Sequence, residues 1–198
     1  MEQDEIETST KDLIDRVQSL FEAELGKDAD TTPILECVLT LFSELRLDPE
    51  RAGAAQQSVC RHLSRALDLG EAGPAASVAR AIRELEPALH WRQNPKYNAK
   101  NMGAGFMDNY AFTDFGLSCS TALYMGVVLL GPGVTYPLTA YPSEGVFLVI
   151  GGSPDWKLGD EPWARVEAGS IIGREAGGAE GKRPGEEPML ALYAWLYQ

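Results

Sequence analysis

In the first ninety residues, hydrophobic and polar positions alternate with a helical spacing. In TKDLIDRVQSLFEAELG the apolar residues share one helical face, with Ser9 or Thr10 as the expected N-cap and Gly26 as the stop. TTPILECVLTLFSELRLDP predicts a second helix, with Thr32 as its N-cap and a proline in its first turn. AAQQSVCRHLSRALDLG and PAASVARAIRELEPAL predict a third and a fourth helix. We therefore expect a helical N-terminal extension over residues 1–90.

After residue 90 the pattern changes to short apolar runs separated by glycine and proline. The runs are STALYMGVVLLGPG, GVFLVIGG, EPWARVEAGSIIG and EPMLALYAWLY. Several short strands at even spacing are typical of antiparallel barrels and jelly rolls. The sequence thus predicts an α+β, mainly β, protein in which residues 91–198 form a β-barrel domain next to the helical extension.

Composition narrows the range of partners. A formal net charge of −12 disfavours nucleic acids and anionic membrane surfaces. No apolar run approaches a membrane span, and the acidic start MEQDEIETST is unlike a signal peptide. The three cysteines, Cys37, Cys60 and Cys119, lack CxxC spacing and are expected to be reduced, buried thiols. We expect a cytoplasmic monomer or homodimer.

Residues 131–152, GPGVTYPLTAYPSEGVFLVIGG, keep the glycine frame of the cupin motif G-x5-H-x-H-x3-E-x6-G, from Gly133 to Gly152. Together with WRQNPKY, FMDNYAF, LLGPGVTYP and EPMLALYAW, this text resembles the dimethylsulfoniopropionate (DMSP) lyase family of cupins. The helical extension is also similar to that family's. The resemblance implies a cupin-type β-barrel (jelly roll). It also implies a lyase that uses a divalent metal such as zinc or iron to release dimethyl sulfide and acrylate.

The resemblance also marks departures from the family at the functional positions. It places Thr139 and Tyr141 at two histidine positions, Gly145 at a glutamate position, and Glu180 at the position of the last histidine. Phe147 stands where the family has the tyrosine that acts as base. Threonine and glycine are poor ligands for zinc, and phenylalanine cannot accept a proton. We therefore predict no metal site and no bound cofactor, which leaves enzymatic activity an open question.

Two tyrosines are candidate bases if the lyase reaction persists. Tyr136 and Tyr141 would each need a pKa depressed by a nearby cation. The predicted ligand pocket contains Tyr136, Thr139, Tyr141, Phe147, Glu180, Tyr193 and Trp195. In one interpretation the aromatic rings simply fill the interior. In the other they form a cage for a small sulfonium or ammonium ligand, either zwitterionic or cationic.

The sequence allows two interpretations of the function. The chain is either an active DMSP lyase or a catalytically inactive cupin with a binding or structural role. Glu180 could face the interior and bind a cation, but the charged text EGKRPGEE predicts a surface loop. Lys182 and Arg183 in that segment could instead attract a carboxylate at the barrel mouth. Restoring Thr139→His, Tyr141→His, Gly145→Glu and Glu180→His is expected to return metal affinity without refolding, because the turns are kept.

Overall fold

The structure, a computed structural model, describes residues 1–48, 50–119 and 123–197. Its helices are α1 (Gln3–Glu24), α2 (Thr32–Leu41), α3 (Leu63–Glu71), α4 (Ala76–Leu85) and α5 (Ala99–Met102). Its strands are β1 (Leu45–Leu47), β2 (Tyr110–Thr113), β3 (Leu117–Cys119), β4 (Leu123–Leu130), β5 (Tyr136–Ala140), β6 (Glu144–Gly151), β7 (Asp155–Leu158), β8 (Ala164–Arg165), β9 (Ile171–Arg174), β10 (Ala179–Arg183) and β11 (Met189–Leu196). Within these residues, no helix is long and apolar enough to cross a membrane.

Helix α1 begins seven residues before the predicted N-cap at Ser9 or Thr10, which is therefore wrong. Its N-cap is Glu2, whose backbone N–H donates to the Glu5 carboxylate at 2.9 Å. Acidic residues in the first turn interact favourably with the helix dipole, so the helix extends through the polar start of the chain. The extension adds Ile6 to the buried stripe that continues down the helix.

The second helix is shorter than the sequence segment that predicted it. α2 has Thr31 rather than Thr32 as its N-cap, and a 3₁₀ turn over Phe42–Glu44 follows it. The next residues form β1, which pairs antiparallel with β3. Pro49, the last residue of the segment that predicted this helix, lies outside the described residues. The helical extension therefore contributes a strand to the β half as well as four helices.

The remaining strands form two antiparallel sheets and not one closed barrel in the described part of the chain. One sheet has the order β2-β4-β11-β6-β9, and the other has the order β5-β10-β7-β8. The long apolar runs of the sequence are β4, β6 and β11, which lie side by side in the five-stranded sheet. The start of the first run, residues 120–122, lies outside the described residues.

Both faces of the five-stranded sheet are buried. Alternate residues of β4, β6 and β11 pack with helices α1 to α4 in one hydrophobic core. The other set packs toward the four-stranded sheet in a second, aromatic-rich core. A strand buried on both faces has no polar alternate positions, which explains why these runs are continuously apolar.

The two glycines of the cupin frame have positive φ angles, which residues with a Cβ rarely adopt. Gly133 has φ +72° and Gly152 has φ +85°. A Cβ on Gly152 would also lie 2.3 Å from the carbonyl oxygen of Pro188. Glycine tolerates both constraints because it has no Cβ. The frame therefore persists for reasons of backbone geometry, independently of any metal.

The cysteines do not all follow the prediction of burial. Cys37 is exposed and Cys60 is half-buried, and both are free thiols. Cys37 lies on the polar side of α2, opposite the buried Ile34, Leu35 and Val38. The side chain of Cys119 lies outside the described part of the structure.

Candidate functional site

A cavity of about 290 Å³ lies between the two sheets. Six of the seven residues predicted for the ligand pocket line it: Tyr136, Tyr141, Phe147, Glu180, Tyr193 and Trp195. The seventh, Thr139, is not among the lining residues, and its hydroxyl donates to the Pro137 carbonyl oxygen at 2.9 Å. Thr139 does lie directly opposite Glu180 in the ladder between β5 and β10, so both side chains project from the same face.

Strand register brings the aromatic residues of the cavity together. Tyr193 on β11 lies opposite Phe147 on β6, and Trp195 lies opposite Gly145. Because alternate residues of a strand share a face, these four positions point toward the same side of the sheet. The rings of Tyr193 and Trp195 lie 5.1 Å apart, and those of Phe147 and Trp195 lie 6.1 Å apart.

Three tyrosine hydroxyls meet at one wall of the cavity. The hydroxyl of Tyr97 lies 2.5 Å from that of Tyr136 and 2.9 Å from that of Tyr141. The hydroxyls of Tyr136 and Tyr141 are 2.5 Å apart. Tyr97 comes from the loop before α5, and the other two tyrosines come from β5 and from the residue that follows it. We call this cluster the tyrosine triad.

Burial makes the two candidate bases harder to ionise. Desolvation, followed by the charge of Tyr141, raises the pKa of Tyr136 well above its ordinary value. Desolvation, followed by the charge of Tyr97, also raises the pKa of Tyr141. The depressed pKa that a tyrosine base would need is therefore absent at both positions, even with a lysine ammonium 5.0 Å from the Tyr136 ring.

Glu180 and Lys182 form an ion pair inside the molecule. Lys182 Nζ lies 2.9 Å from Glu180 Oε1, and the two residues are 2% and 1% exposed. Both side chains line the cavity, because residues i and i+2 of β10 share a face. The interpretation of EGKRPGEE as a surface loop is therefore wrong for these two residues. Charged residues are rarely buried unless they are paired, and here each compensates the other.

The Lys182 ammonium is enclosed by aromatic rings. Its Nζ lies 4.3 Å from the ring centroid of Phe147, 4.6 Å from that of Trp156 and 5.0 Å from that of Tyr136. These distances are within the range of cation–π attraction. Burial lowers the pKa of Lys182, and the charge of Glu180 opposes that shift. Part of the predicted aromatic cage thus surrounds a cation that belongs to the chain.

Arg174 adds a second positive charge beside Glu180. Its Nε lies 3.7 Å from Glu180 Oε2, and the side chain is 1% exposed. One terminal nitrogen, Nη1, donates to the Ser143 carbonyl oxygen at 2.6 Å, which fixes the guanidinium. The guanidinium also lies 5.2 Å from the ring centroid of Tyr141 and 5.7 Å from that of Trp195. Two formal positive charges therefore face one negative charge.

Arg183 lies on the opposite face of β10 from Lys182. Its guanidinium stacks on Trp163 at 4.0 Å and lies 3.7 Å from the Asp155 carboxylate. Of the two cations predicted to attract a carboxylate at a barrel mouth, only Lys182 lines the cavity.

Comparison with known proteins matches residues 36–191 to the model of a family described as dimethylsulfoniopropionate lyase. The chain belongs to the DMSP lyase family. It is 31% identical over 144 residues to the putative DMSP lyase DddL of Cereibacter sphaeroides, covering 69% of this chain and 58% of DddL. It is 27% identical over 124 residues to the DMSP lyase DddQ of Ruegeria pomeroyi, covering 61% of each chain. The match thus spans less than two thirds of either relative.

Solved structures of DMSP lyases share the fold. A chain from the crystal structures of the DMSP lyases RdDddP and RnDddQII superposes with a TM-score of 0.77 at 20% identity, over 96% of this chain and 93% of that one. DddQ from Ruegeria pomeroyi DSS-3 gives a TM-score of 0.71 at 21% identity, over 96% and 92%. The predicted cupin-type fold with a helical N-terminal extension is confirmed, with two facing sheets in place of a closed barrel.

The side chains present do not fit the divalent metal that the family resemblance implies. In the described residues, no group of three histidine, cysteine, aspartate or glutamate side chains could hold a metal ion. Glu180, the one carboxylate at the four aligned positions, is engaged by Lys182 and Arg174. Metals prefer ligands that are free to coordinate, and a lysine ammonium beside the carboxylate competes directly for it.

Gly145 prevents a simple restoration of the metal site. A Cβ there would lie 2.5 Å from the Ala194 carbonyl oxygen and 2.8 Å from Trp195 Cδ1. Gly145 also lies opposite Arg174 in the ladder with β9, so that guanidinium projects on the same face. Gly145→Glu would therefore require a shift of the backbone, and the return of metal affinity in the four-fold variant stays a prediction.

Sequence reasoning missed two charged or polar contributors to the site and misplaced a third. Tyr97 belongs to WRQNPKY, which carried the family resemblance but no assigned role. Arg174 directly follows the predicted strand run EPWARVEAGSIIG, and the sequence analysis assigns it no role. Lys182 had been placed at a barrel mouth, yet the i, i+2 spacing with Glu180 would put both on one face of any strand. That spacing was the available signal for the ion pair.

Proposed function

We propose that this chain is a ligand-binding member of the DMSP lyase family that holds a small zwitterion in its central cavity without a metal. One observation carries the proposal: the Glu180–Lys182 ion pair lines the cavity at a position that the resemblance aligns with a metal ligand. A fixed cation and a fixed anion offer complementary contacts to the two ends of a zwitterion. The aromatic walls offer cation–π contacts to its cationic group.

The size of the cavity supports a small ligand. Its volume of about 290 Å³ lies at the lower limit of the roughly 300–1,000 Å³ that drug-sized ligands occupy. Apolar walls with a few polar groups are the usual composition of such sites.

Equilibrium binding tests the proposal. Titration of the metal-free protein with DMSP, followed by tryptophan fluorescence, should show saturable binding, because Trp195 lines the cavity. Val128→Phe fills the cavity and should weaken binding, whereas Ala140→Phe on the exposed edge of β5 should not. Elemental analysis of the purified protein should find transition metal far below one per chain. Absence of saturable binding, or one tightly held metal per chain, would contradict the proposal.

The family's own reaction is a second candidate, favoured by the tyrosine triad beside Lys182. A tyrosinate would remove the proton from the carbon next to the substrate carboxylate. The electron pair would then form the carbon–carbon double bond as the C–S bond breaks and dimethyl sulfide leaves. Because the pKa values of Tyr136 and Tyr141 are raised, any such activity should increase with pH and disappear in Tyr136→Phe. Headspace measurement of dimethyl sulfide at pH 8 and pH 10, corrected for a protein-free blank, separates the two functions.

A further inference from the structure

The Glu180 carboxylate is buried without a hydrogen-bond donor. In the described part of the chain, neither Oε1 nor Oε2 has a hydrogen-bond partner, although the residue is only 1% exposed. Oε1 forms an ion pair with Lys182 Nζ at 2.9 Å, and the cation beside Oε2 is Arg174 Nε at 3.7 Å, beyond hydrogen-bond distance. Buried carboxylate oxygens are normally satisfied, so this group has capacity for a donor that enters the cavity.

Lys182 has the complementary capacity. An ammonium group has three N–H donors, and aromatic rings lie on three sides of this one. Rings stabilise the charge through their faces, but they are weak substitutes for an oxygen acceptor. A ligand oxygen that reaches Nζ would therefore gain a charge-assisted hydrogen bond.

The charge balance decides which ligand oxygen is favoured. Lys182 and Arg174 together outnumber Glu180 by one formal charge, and all three side chains are buried. A carboxylate in the cavity would neutralise that excess, whereas a neutral amide would not. Arg174 does not line the cavity, so Lys182 is the cation available to the ligand.

We propose that Lys182 and Glu180 form one recognition centre for a small carboxylate that also carries an O–H or N–H group. The ligand carboxylate binds the Lys182 ammonium, and its O–H or N–H group donates to Glu180. A sulfonium has neither kind of hydrogen, so DMSP satisfies only the first contact. The inference rests on the proposed ligand-binding function and specifies the ligand class.

Three probes of equal size separate the two contacts. Glycolate, propionate and 2-butanone each have five non-hydrogen atoms. Glycolate replaces the propionate methyl group by a hydroxyl, and 2-butanone replaces one carboxylate oxygen by a methyl group, which removes the charge without adding an N–H or O–H donor. Isothermal titration of the wild-type protein should give a Kd for glycolate at least about tenfold lower than for propionate, since a hydrogen bond to a charged group is worth about that factor. 2-Butanone should bind at least about tenfold more weakly than propionate.

Variants assign these preferences to residues. Lys182→Met should abolish the preference for propionate over 2-butanone, and Glu180→Gln should reduce the preference for glycolate over propionate. Arg183→Met removes the same charge from the adjacent position on the other face of β10, and it should leave both preferences unchanged. Circular dichroism checks that each variant folds.

The outcomes separate the inference from the proposed function. If DMSP does not bind the wild-type protein, the proposed function fails, and if none of the three probes binds either, the inference fails with it. If ligands bind but glycolate and propionate have equal affinity, the inference fails while the proposed function stands. The same holds if Lys182→Met behaves like Arg183→Met. Should Lys182→Met not fold, the three affinities of the wild-type protein still decide the question.

Discussion

Glu180→Gln should destabilise the fold more than Lys182→Met, because Glu180 compensates two cations. With an effective dielectric constant of about 20, a charge pair 2.9 Å apart attracts by about 6 kcal/mol and a pair 3.7 Å apart by about 4 kcal/mol. Glu180→Gln loses both attractions and leaves two buried cations uncompensated. After relaxation, such a loss costs about 3–5 kcal/mol, a large part of the roughly 5–15 kcal/mol that stabilises a domain.

Lys182→Met loses only the first attraction, and it also removes the cost of burying an ammonium group. We expect it to destabilise by less than half as much, and the Glu180→Gln/Lys182→Met double variant by less than the sum of the two. Urea unfolding of the wild type, both single variants and the double variant gives the coupling free energy, with Arg183→Met as the control for charge alone. Equal effects of the two single variants, or additive effects in the double variant, would show that the buried pair does not act as we describe.

Three further predictions follow from burial and backbone geometry. Buried tyrosines such as Tyr136 keep their protons to a higher pH in the folded than in the unfolded chain. Stability should therefore be full below pH 10 and fall above it, less steeply in Tyr136→Phe, as measured by urea unfolding. Gly145→Ala should destabilise by about 1–3 kcal/mol because its Cβ meets a carbonyl oxygen at 2.5 Å, whereas Gly53→Ala, with no atom within 4 Å, should be close to neutral in the same assay. Maleimide should label Cys37 before Cys60 in the folded protein, and equal rates would contradict their different exposure.

Three of the four predicted strand runs form strands with two buried faces. The fourth, EPWARVEAGSIIG, contains β8 and most of β9, whose residues within the run are exposed or half-buried. β4, β6 and β11 are long and continuously apolar. A continuous apolar run between turn residues is typical of a strand that is buried on both faces, so these runs were predicted correctly. The four-stranded sheet was missed almost entirely. β5 contains a proline and exposed positions, and β10 is the charged text AEGKR, so neither shows a hydrophobic period. Their pairing depends on contacts between residues distant in sequence, which no local pattern records.

In the candidate site, too, the apolar residues were predicted correctly and the charged residues were not. The aromatic lining was predicted because the family resemblance places Phe147, Tyr193 and Trp195 at positions of the strands that face the interior. The charges were misinterpreted because composition treats Glu and Lys as solvent-exposed residues, and the energetic compensation that permits burial is visible only when their separation is known. Arg174 was the hardest of these charges to predict. It lies on β9, an edge strand of the five-stranded sheet, whereas Glu180 lies on β10 of the four-stranded sheet.

A buried carboxylate must have a cation nearby, whether a metal ion or a side chain supplies it. In this chain the Lys182 ammonium lies 2.9 Å from the Glu180 carboxylate, from two residues along the same strand. The glycine turns at Gly133 and Gly152 maintain the frame through their positive φ angles. The backbone that positions the site and the cation beside its carboxylate are thus separate features of the fold, because glycine conformation determines the first and residue spacing along β10 determines the second.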